Sequence, residues 1–149
     1  MEETIARHLN PLLRTAAAIL KNKQDAEDAV QEAFIKWFEK KPHFISPQHE
    51  TAWLMRVTIN LCKSRLRSPW RKRRTPLLES LPAENNNQHE IVNAVLALPT
   101  KYRTVIHLFY FEGYSTAEIA EITTQKETTV RQQLTRARKM LKDEFWEGE

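Results

Sequence analysis

The sequence predicts an all-α protein made of two small helical domains joined by a flexible linker. Three observations point there. Apolar residues recur at helical spacing through most of the 149 residues. Only two glycines occur, Gly113 and Gly148, too few for a β-rich fold with many tight turns. Between two helical stretches the composition shifts abruptly, first to a run of cations and then to a polar, proline-broken segment.

The first helix is predicted over residues 3–21. Ile5, Leu9, Leu12, Leu13, Ala16, Ile19 and Leu20 share helical spacing, interrupted only by Pro11. "NKQD" is a break, with Asp25 as the expected N-cap of a second helix over 26–40. Asp25, Glu27 and Asp28 crowd its N-terminus, where the helix dipole favours negative charge. Its apolar side is Ala29, Val30, Ala33, Phe34, Trp37 and Phe38. "KKPHFISPQHE" is expected to be a loop, because Pro42 and Pro47 oppose regular structure. A third helix follows from about Thr51 to Arg67, with Trp53, Leu54, Val57, Leu61 and Leu66 inward.

Residues 63–74, "KSRLRSPWRKRR", hold seven positive charges and no acid. "TPLLESLPAENNNQHE" then reads as linker, and helices resume near 89–98, 100–111, 115–122 and 126–145. The expected boundaries are a first domain over 1–70, a linker over 71–90 and a second domain over 91–149.

Composition limits the chemistry. The formal charge of +4 and pI near 9.3 fit nucleic-acid binding without showing it. The single cysteine, Cys62, rules out a disulfide within the chain and a Cys-rich zinc site. It falls in an apolar helical stretch and is read as a buried structural thiol. Two glycines cannot build a phosphate-cradling loop. The five histidines lack ligand spacing, and no paired-carboxylate or nucleophile–base motif emerges, so no cofactor and no enzymatic role are expected. The N-terminus has no apolar leader core and no run is long enough to span a bilayer, which points to a cytoplasmic protein.

The stretch "STAEIAEITTQKETTVRQQLTRARKML" reads as two short helices around a polar break. Ser115 and Glu118 form a capping box before the first. In the second, Val130, Leu134, Ala137 and Leu141 make a buried stripe. Thr128, Gln132, Thr135, Arg136 and Lys139 lie opposite, with Arg131 on the shoulder. A DNA-reading helix needs this division: one face to seat it, the other to carry long donors into the major groove. A structural hairpin with a solvated basic face has the same pattern, and both readings stay open at this point. Thr124 stands where a turn glycine is usual. The turn either bears a strained residue or opens so that Thr123 or Thr124 caps the next helix.

Both halves together resemble one family. "LPTKYRTVIHLFYFEGYSTAEIAEI…TVRQQLTRARKMLK" resembles region 4 of bacterial sigma-70-family factors, "DAEDAVQEAFIKWFEK" is similar to region 2.2, and "TAWLMRVTINLCKSRLRSPWRKRR" to regions 2.3–2.4. The size and two-domain layout are like the extracytoplasmic-function group. The resemblance implies a promoter-specificity subunit that performs no covalent chemistry. It implies −35 contacts from Thr128, Arg131, Gln132, Thr135, Arg136 and Lys139. It implies −10 contacts from the loop Phe44–Glu50 (Phe44, Ile45, Ser46 and Gln48) with Asn60 and Lys63, Trp53 being core rather than a base contact. DNA-backbone contacts would come from Arg65, Arg67, Arg71, Lys72, Arg73 and Arg74. Docking on the clamp coiled coil of core RNA polymerase would use Asp28, Gln31, Glu32, Ile35 and Lys36, and docking on the β flap the helix bearing Tyr102, Leu108 and Phe109. Implied partners are core RNA polymerase, promoter DNA and an anti-sigma factor. A classical DNA-binding regulator is the competing reading, opposed by the first domain.

Overall fold

The structure, a computed structural model, describes residues 2–68 and 86–146, with side chains over 90–143 in the second stretch. Contacts divide the chain into two compact units, Met1–Leu77 and Leu78–Glu149. The described residues are helices and turns, with no strand among them.

Unit 1 is a bundle of three mutually packed helices, α1 (Glu2–Leu20), α2 (Lys23–Lys40) and α3 (Pro47–Leu66). Leu12, Ala16, Ile19 and Leu20 meet Ala26, Ala29, Val30 and Ala33, and the third side is Leu54, Met55, Ile59 and Cys62. The three alanines of α2 share one face and carry no side chain beyond Cβ, which lets the neighbouring helices approach closely. α1 runs straight through Pro11, which was expected to interrupt it. Burial of Leu12, Ala16, Ile19 and Leu20 beyond the proline outweighs the lost backbone bond.

Two helix starts differ from the sequence reading. Asn22, not Asp25, caps α2: its side chain accepts from Asp25 N at 2.9 Å, and Asp25 is itself buried in the first turn. α3 begins at Pro47 rather than Thr51. Ser46 accepts from His49 N at 3.1 Å, and Pro47 takes the first helical position, where its missing N–H costs nothing. The loop therefore shrinks to 41–46.

The inward face of α3 also differs. Leu54 is buried as expected, but its companions are Met55, Thr58, Ile59 and Cys62, while Trp53, Val57, Leu61 and Leu66 are half-buried. α3 contacts both α1 and α2, so its buried arc is turned relative to a single-neighbour estimate. His8 ties the bundle: its Nδ1 donates to Thr4 O (3.0 Å) and its Nε2 meets Thr51 Oγ1 (2.9 Å) on α3.

Burial pushes the Cys62 thiol from its ordinary value near 9 up to about 12, with Arg65 pulling weakly the other way. A raised thiol pKa favours the neutral form in the fold. Its contribution is full below the unfolded value near 9 and is lost as pH climbs from there towards about 12. Alkylation by iodoacetamide at neutral pH is therefore expected to be slow in the native chain and fast in urea. Rapid native labelling would contradict the burial of Cys62.

Unit 2 contains α4 (Asn86–Ala97), α5 (Thr100–Ile106), α6 (Thr116–Thr123) and α7 (Glu127–Trp146). α5 runs into a π-helical turn over His107–Phe111, closed by Glu112 N donating to His107 O at 3.1 Å. The core holds Val95, Leu96, Leu98, Tyr102, Val105, Ile106, Leu108, Ile119, Ile122, Val130, Leu134 and Ala137. Arg103 is buried and clasps the α4–α5 turn, donating to Leu98 O at 2.6 Å and to Thr100 Oγ1 at 3.3 Å.

The π turn re-aims the aromatic run. One extra residue per turn rotates the side chains that follow it. Tyr102, which precedes the turn, and Leu108, both expected at the flap-binding surface, are core residues, and Phe109 is half-buried. Tyr110 and Phe111 are the exposed aromatics instead.

Candidate nucleic-acid and polymerase interface

The α6–α7 pair answers the question of the missing glycine. Ser115 caps α6 in a complete capping box: Ser115 Oγ accepts from Glu118 N at 3.1 Å, and Ser115 N donates to Glu118 Oε1 at 2.9 Å. Thr124 ends the helix in the left-handed region, at φ 52° and ψ 48°. Such a conformation costs a non-glycine residue roughly 1–2 kcal/mol. Surrounding bonds hold it in place. Gln125 N donates to Ala120 O at 2.9 Å, which closes the helix end. The Gln125 and Gln133 amides donate to each other, at 2.8 and 3.2 Å, across the turn. Neither threonine caps α7: Thr123 Oγ1 donates to Ile119 O and Thr124 Oγ1 to Thr123 O.

α7 divides as its sequence pattern suggests. Val130, Leu134 and Ala137 are buried and Leu141 is half-buried. Thr128, Arg131, Gln132, Thr135, Arg136 and Lys139 are all exposed, at spacings that keep them on one side of a helix. The Thr135 hydroxyl donates back to Arg131 O at 2.9 Å, so its methyl and lone pairs remain for a ligand. Arg131 Nη2 lies 2.7 Å from Glu127 Oε1. Arg138, which the sequence reading left aside, donates through Nε to Tyr110 OH at 2.6 Å and sits over the Phe109 and Tyr110 rings.

In unit 1 the structure brings together part of the −10 set. Phe44 is half-buried, with its ring edge-on to His49 (centroids 5.2 Å) and Trp53 (6.0 Å). Ile45 beside it is 93% exposed, and its N–H donates to His49 Nδ1 at 3.3 Å. Ser46 is occupied as the N-cap of α3, and Gln48 lies exposed in that helix's first turn, not in a loop. Trp53 is half-buried against Phe44, neither core nor free. Asn60 (exposed) and Lys63 (half-buried) stand about two and three turns beyond Trp53 along α3. Trp53, Arg56, Asn60, Lys63 and Arg67 alternate three and four residues apart, so they form one stripe. That spacing was available in the sequence and would have added Arg56. His49 needed the structure, because its role depends on where α3 begins.

The cation set separates. Arg67 is exposed at the C-cap of α3. Arg65 turns back to α2, with Nη2 3.3 Å from Glu32 Oε2. Arg71, Lys72, Arg73 and Arg74 lie outside the described residues.

The docking set on α2 forms two rows. Asp28, Glu32 and Lys36 are half-buried on one side, where Glu32 meets Arg65. Gln31 and Ile35 are exposed on the other, Ile35 at 54%. They border a groove of 470 Å³ whose walls are Ile5, Leu9 and Leu13 of α1 and Phe34 and Ile35 of α2. The α1 wall was missed in the sequence. Its signal is a second apolar row, spaced four and four, beside the core row of Leu12, Ala16 and Ile19.

Among the described residues no group of His, Cys, Asp or Glu could hold a metal ion, and no helix is long and apolar enough to cross a membrane.

Known proteins share this fold. The family model for sigma-70 region 2 matches residues 4–72, and that for sigma-70 region 4 matches residues 88–141. The chain is 32% identical to the ECF RNA polymerase sigma factor SigE of Mycolicibacterium smegmatis, over 95% of this chain and 60% of that protein. It is 29% identical to the ECF sigma factor SigM of Mycobacterium tuberculosis, covering 94% of this chain and 74% of SigM. With the ECF sigma factor SigW of Bacillus subtilis the identity is 30%, over 85% of this chain and 79% of SigW. The chain thus spans about three fifths to four fifths of the length of these relatives. In fold it is similar to the sigma factor RpoE solved with the anti-sigma factor NepR from Bartonella quintana (TM-score 0.77, 22% identity, 95% of this chain and 94% of that one). It is also similar to CnrH solved with the cytosolic domain of CnrY (TM-score 0.74, 23% identity, 99% and 88%). With both regions matched in order along one chain, it belongs to the sigma-70 family of RNA polymerase sigma factors, in its extracytoplasmic-function group.

Proposed function

We propose that this chain is a promoter-specificity subunit: it binds core RNA polymerase and directs initiation at promoters through their −35 and −10 elements. The observation that carries this reading is that a single chain joins an exposed donor-bearing helix face to a separate bundle with its own unpartnered groove. In this reading it catalyses no covalent step. It lends recognition to the polymerase and spends binding energy on strand opening.

The exposed face of α7 enters the major groove at the −35 element. Arg136 and Arg131 suit guanine, Gln132 suits adenine, and the Thr135 and Thr128 methyls suit thymine. Lys139 and Arg67 hold phosphates, a sequence-tolerant and salt-sensitive contact. Phe44, His49 and Trp53 make an aromatic patch beside exposed Ile45, suited to stacking one unpaired −10 base, with Asn60 and Lys63 following the strand. Stacking of this kind is worth about 1–3 kcal/mol per base. Polymerase docking uses Ile35, Gln31 and the α1 groove, with Glu27 at its edge and Asp28, Glu32 and Lys36 along the adjacent row of α2. An apolar centre with a charged rim is the usual anatomy of such contacts. Tyr110 and Phe111 are the candidates for the β flap. An anti-sigma factor is the proposed inhibitory partner, and its natural target is the same polymerase-facing groove.

Run-off transcription by core RNA polymerase on a genomic promoter library tests this reading. Initiation that depends on the chain and selects shared −35 and −10 sequences is expected. Tight specific DNA binding by the chain alone, without stimulation of polymerase, would replace it with a classical regulator.

A further inference from the structure

The observation that carries furthest is a relay at the entrance of the α6–α7 pair. One carboxylate oxygen, Glu127 Oε1, accepts from Thr116 Oγ1 at 2.8 Å and from Arg131 Nη2 at 2.7 Å. Thr116 is the first residue of α6, and Glu127 the first of α7. Arg131 therefore sits on the exposed face of α7 with its guanidinium tethered to both helices.

We propose that Glu127 is a positioning residue that makes Arg131 a base reader, with Thr116 fixing Glu127 in turn. An arginine side chain has many rotamers and loses much of that freedom when held. A free arginine at a DNA surface finds a phosphate as readily as a base edge. A single Nη2 bond to Glu127 leaves Nη1, Nε and the second Nη2 hydrogen unspent. The remaining fork can still pair with guanine O6 and N7. The carboxylate at the same place repels phosphate, which favours the groove floor over the backbone. Glu127 thus raises discrimination at one base pair while lowering general affinity for DNA.

This inference rests on the proposed −35 reading of α7, and the experiment separates the two. Holoenzyme reconstituted with the full-length chain is assayed on promoters carrying all four base pairs at each −35 position. Arg131→Ala is expected to lower discrimination at one position by about fivefold to a hundredfold, the worth of a bidentate contact. Glu127→Gln and Thr116→Val are each expected to relax that same position by about three- to tenfold, as coupled neighbours do. Glu127→Gln should in addition raise binding to random-sequence duplex. The glutamine keeps an oxygen for Thr116, so the helix pair stays tied. A melting temperature equal to that of the parent chain separates positioning from mere folding.

Relaxation in Arg131→Ala without any in Glu127→Gln and Thr116→Val would overturn the relay and leave the −35 reading standing. Uniform loss at every −35 position would mean that Glu127 only supports the fold, which also overturns it. Unaltered discrimination in Arg131→Ala would remove the base contact itself.

Discussion

Changing Ile35 to aspartate is expected to strip the chain of its hold on core RNA polymerase while leaving the fold intact. Ile35 is 54% exposed and stands on the α2 wall of the α1–α2 groove. Burial of such a residue at the centre of an apolar patch commonly makes it a hot spot, and its loss costs about 2 kcal/mol or more, roughly thirtyfold in affinity. A carboxylate there adds the cost of desolvating a charge. Equilibrium binding to core polymerase measures it, with a thermal melt as control. Equal affinity with an unchanged melt would place the docking face elsewhere on unit 1. Leu9→Ser, on the opposite wall of the groove, is a milder form of the same experiment.

Leu134→Ala is expected to cost unit 2 about 2–5 kcal/mol, the range for truncating a buried leucine that leaves a cavity. Leu134 is 1% exposed, seated in the stripe that fixes α7 to its neighbours, and α7 packs on both α5 and α6. A unit of this size has only some 3–10 kcal/mol of total stability, so this one change consumes a large share of it. Hydrogen exchange of the α6 and α7 amides in the full chain should lose protection by about the same free energy. −35 recognition should fall with it. Leu134→Met keeps the volume and is expected to cost less than about 1.5 kcal/mol. Full protection in Leu134→Ala would mean that α7 is seated by other contacts.

Much of the architecture could be read in the residues. The two glycines and the apolar spacing indicate helices, and the composition break between 63 and 90 separates two helical stretches. The Ser115–Glu118 box and the Val130–Leu134–Ala137 stripe are local features. Each depends on residues within a few positions of one another, so spacing is enough to find them. The six exposed positions of α7 follow from the same stripe by subtraction.

The missed elements have a different origin. The start of α3 hinged on Pro47, which ends a helix in the interior and begins one at the first position. Only the Ser46 side chain accepting from His49 N distinguishes the two. The π turn at His107–Phe111 carries the exposed Tyr110 and Phe111 and has no sequence signal of its own. Arg65 looked like a free cation in a basic run, yet it reaches Glu32, thirty-three residues away.

Local sequence is enough for the helical class, the two-part layout and the face of α7 turned outward. These follow from local periodicity and capping, which the chain carries at every point. Tertiary structure alone decided which apolar residues are core and which form the α1–α2 groove, and which charges are spent internally. It also decided that Thr124 takes a left-handed turn, because bonds from Gln125 and Gln133 across the turn hold a conformation the residue would not choose alone. The physical reason is the same in each case. Burial and pairing depend on partners distant in sequence, and only packing brings those partners within reach.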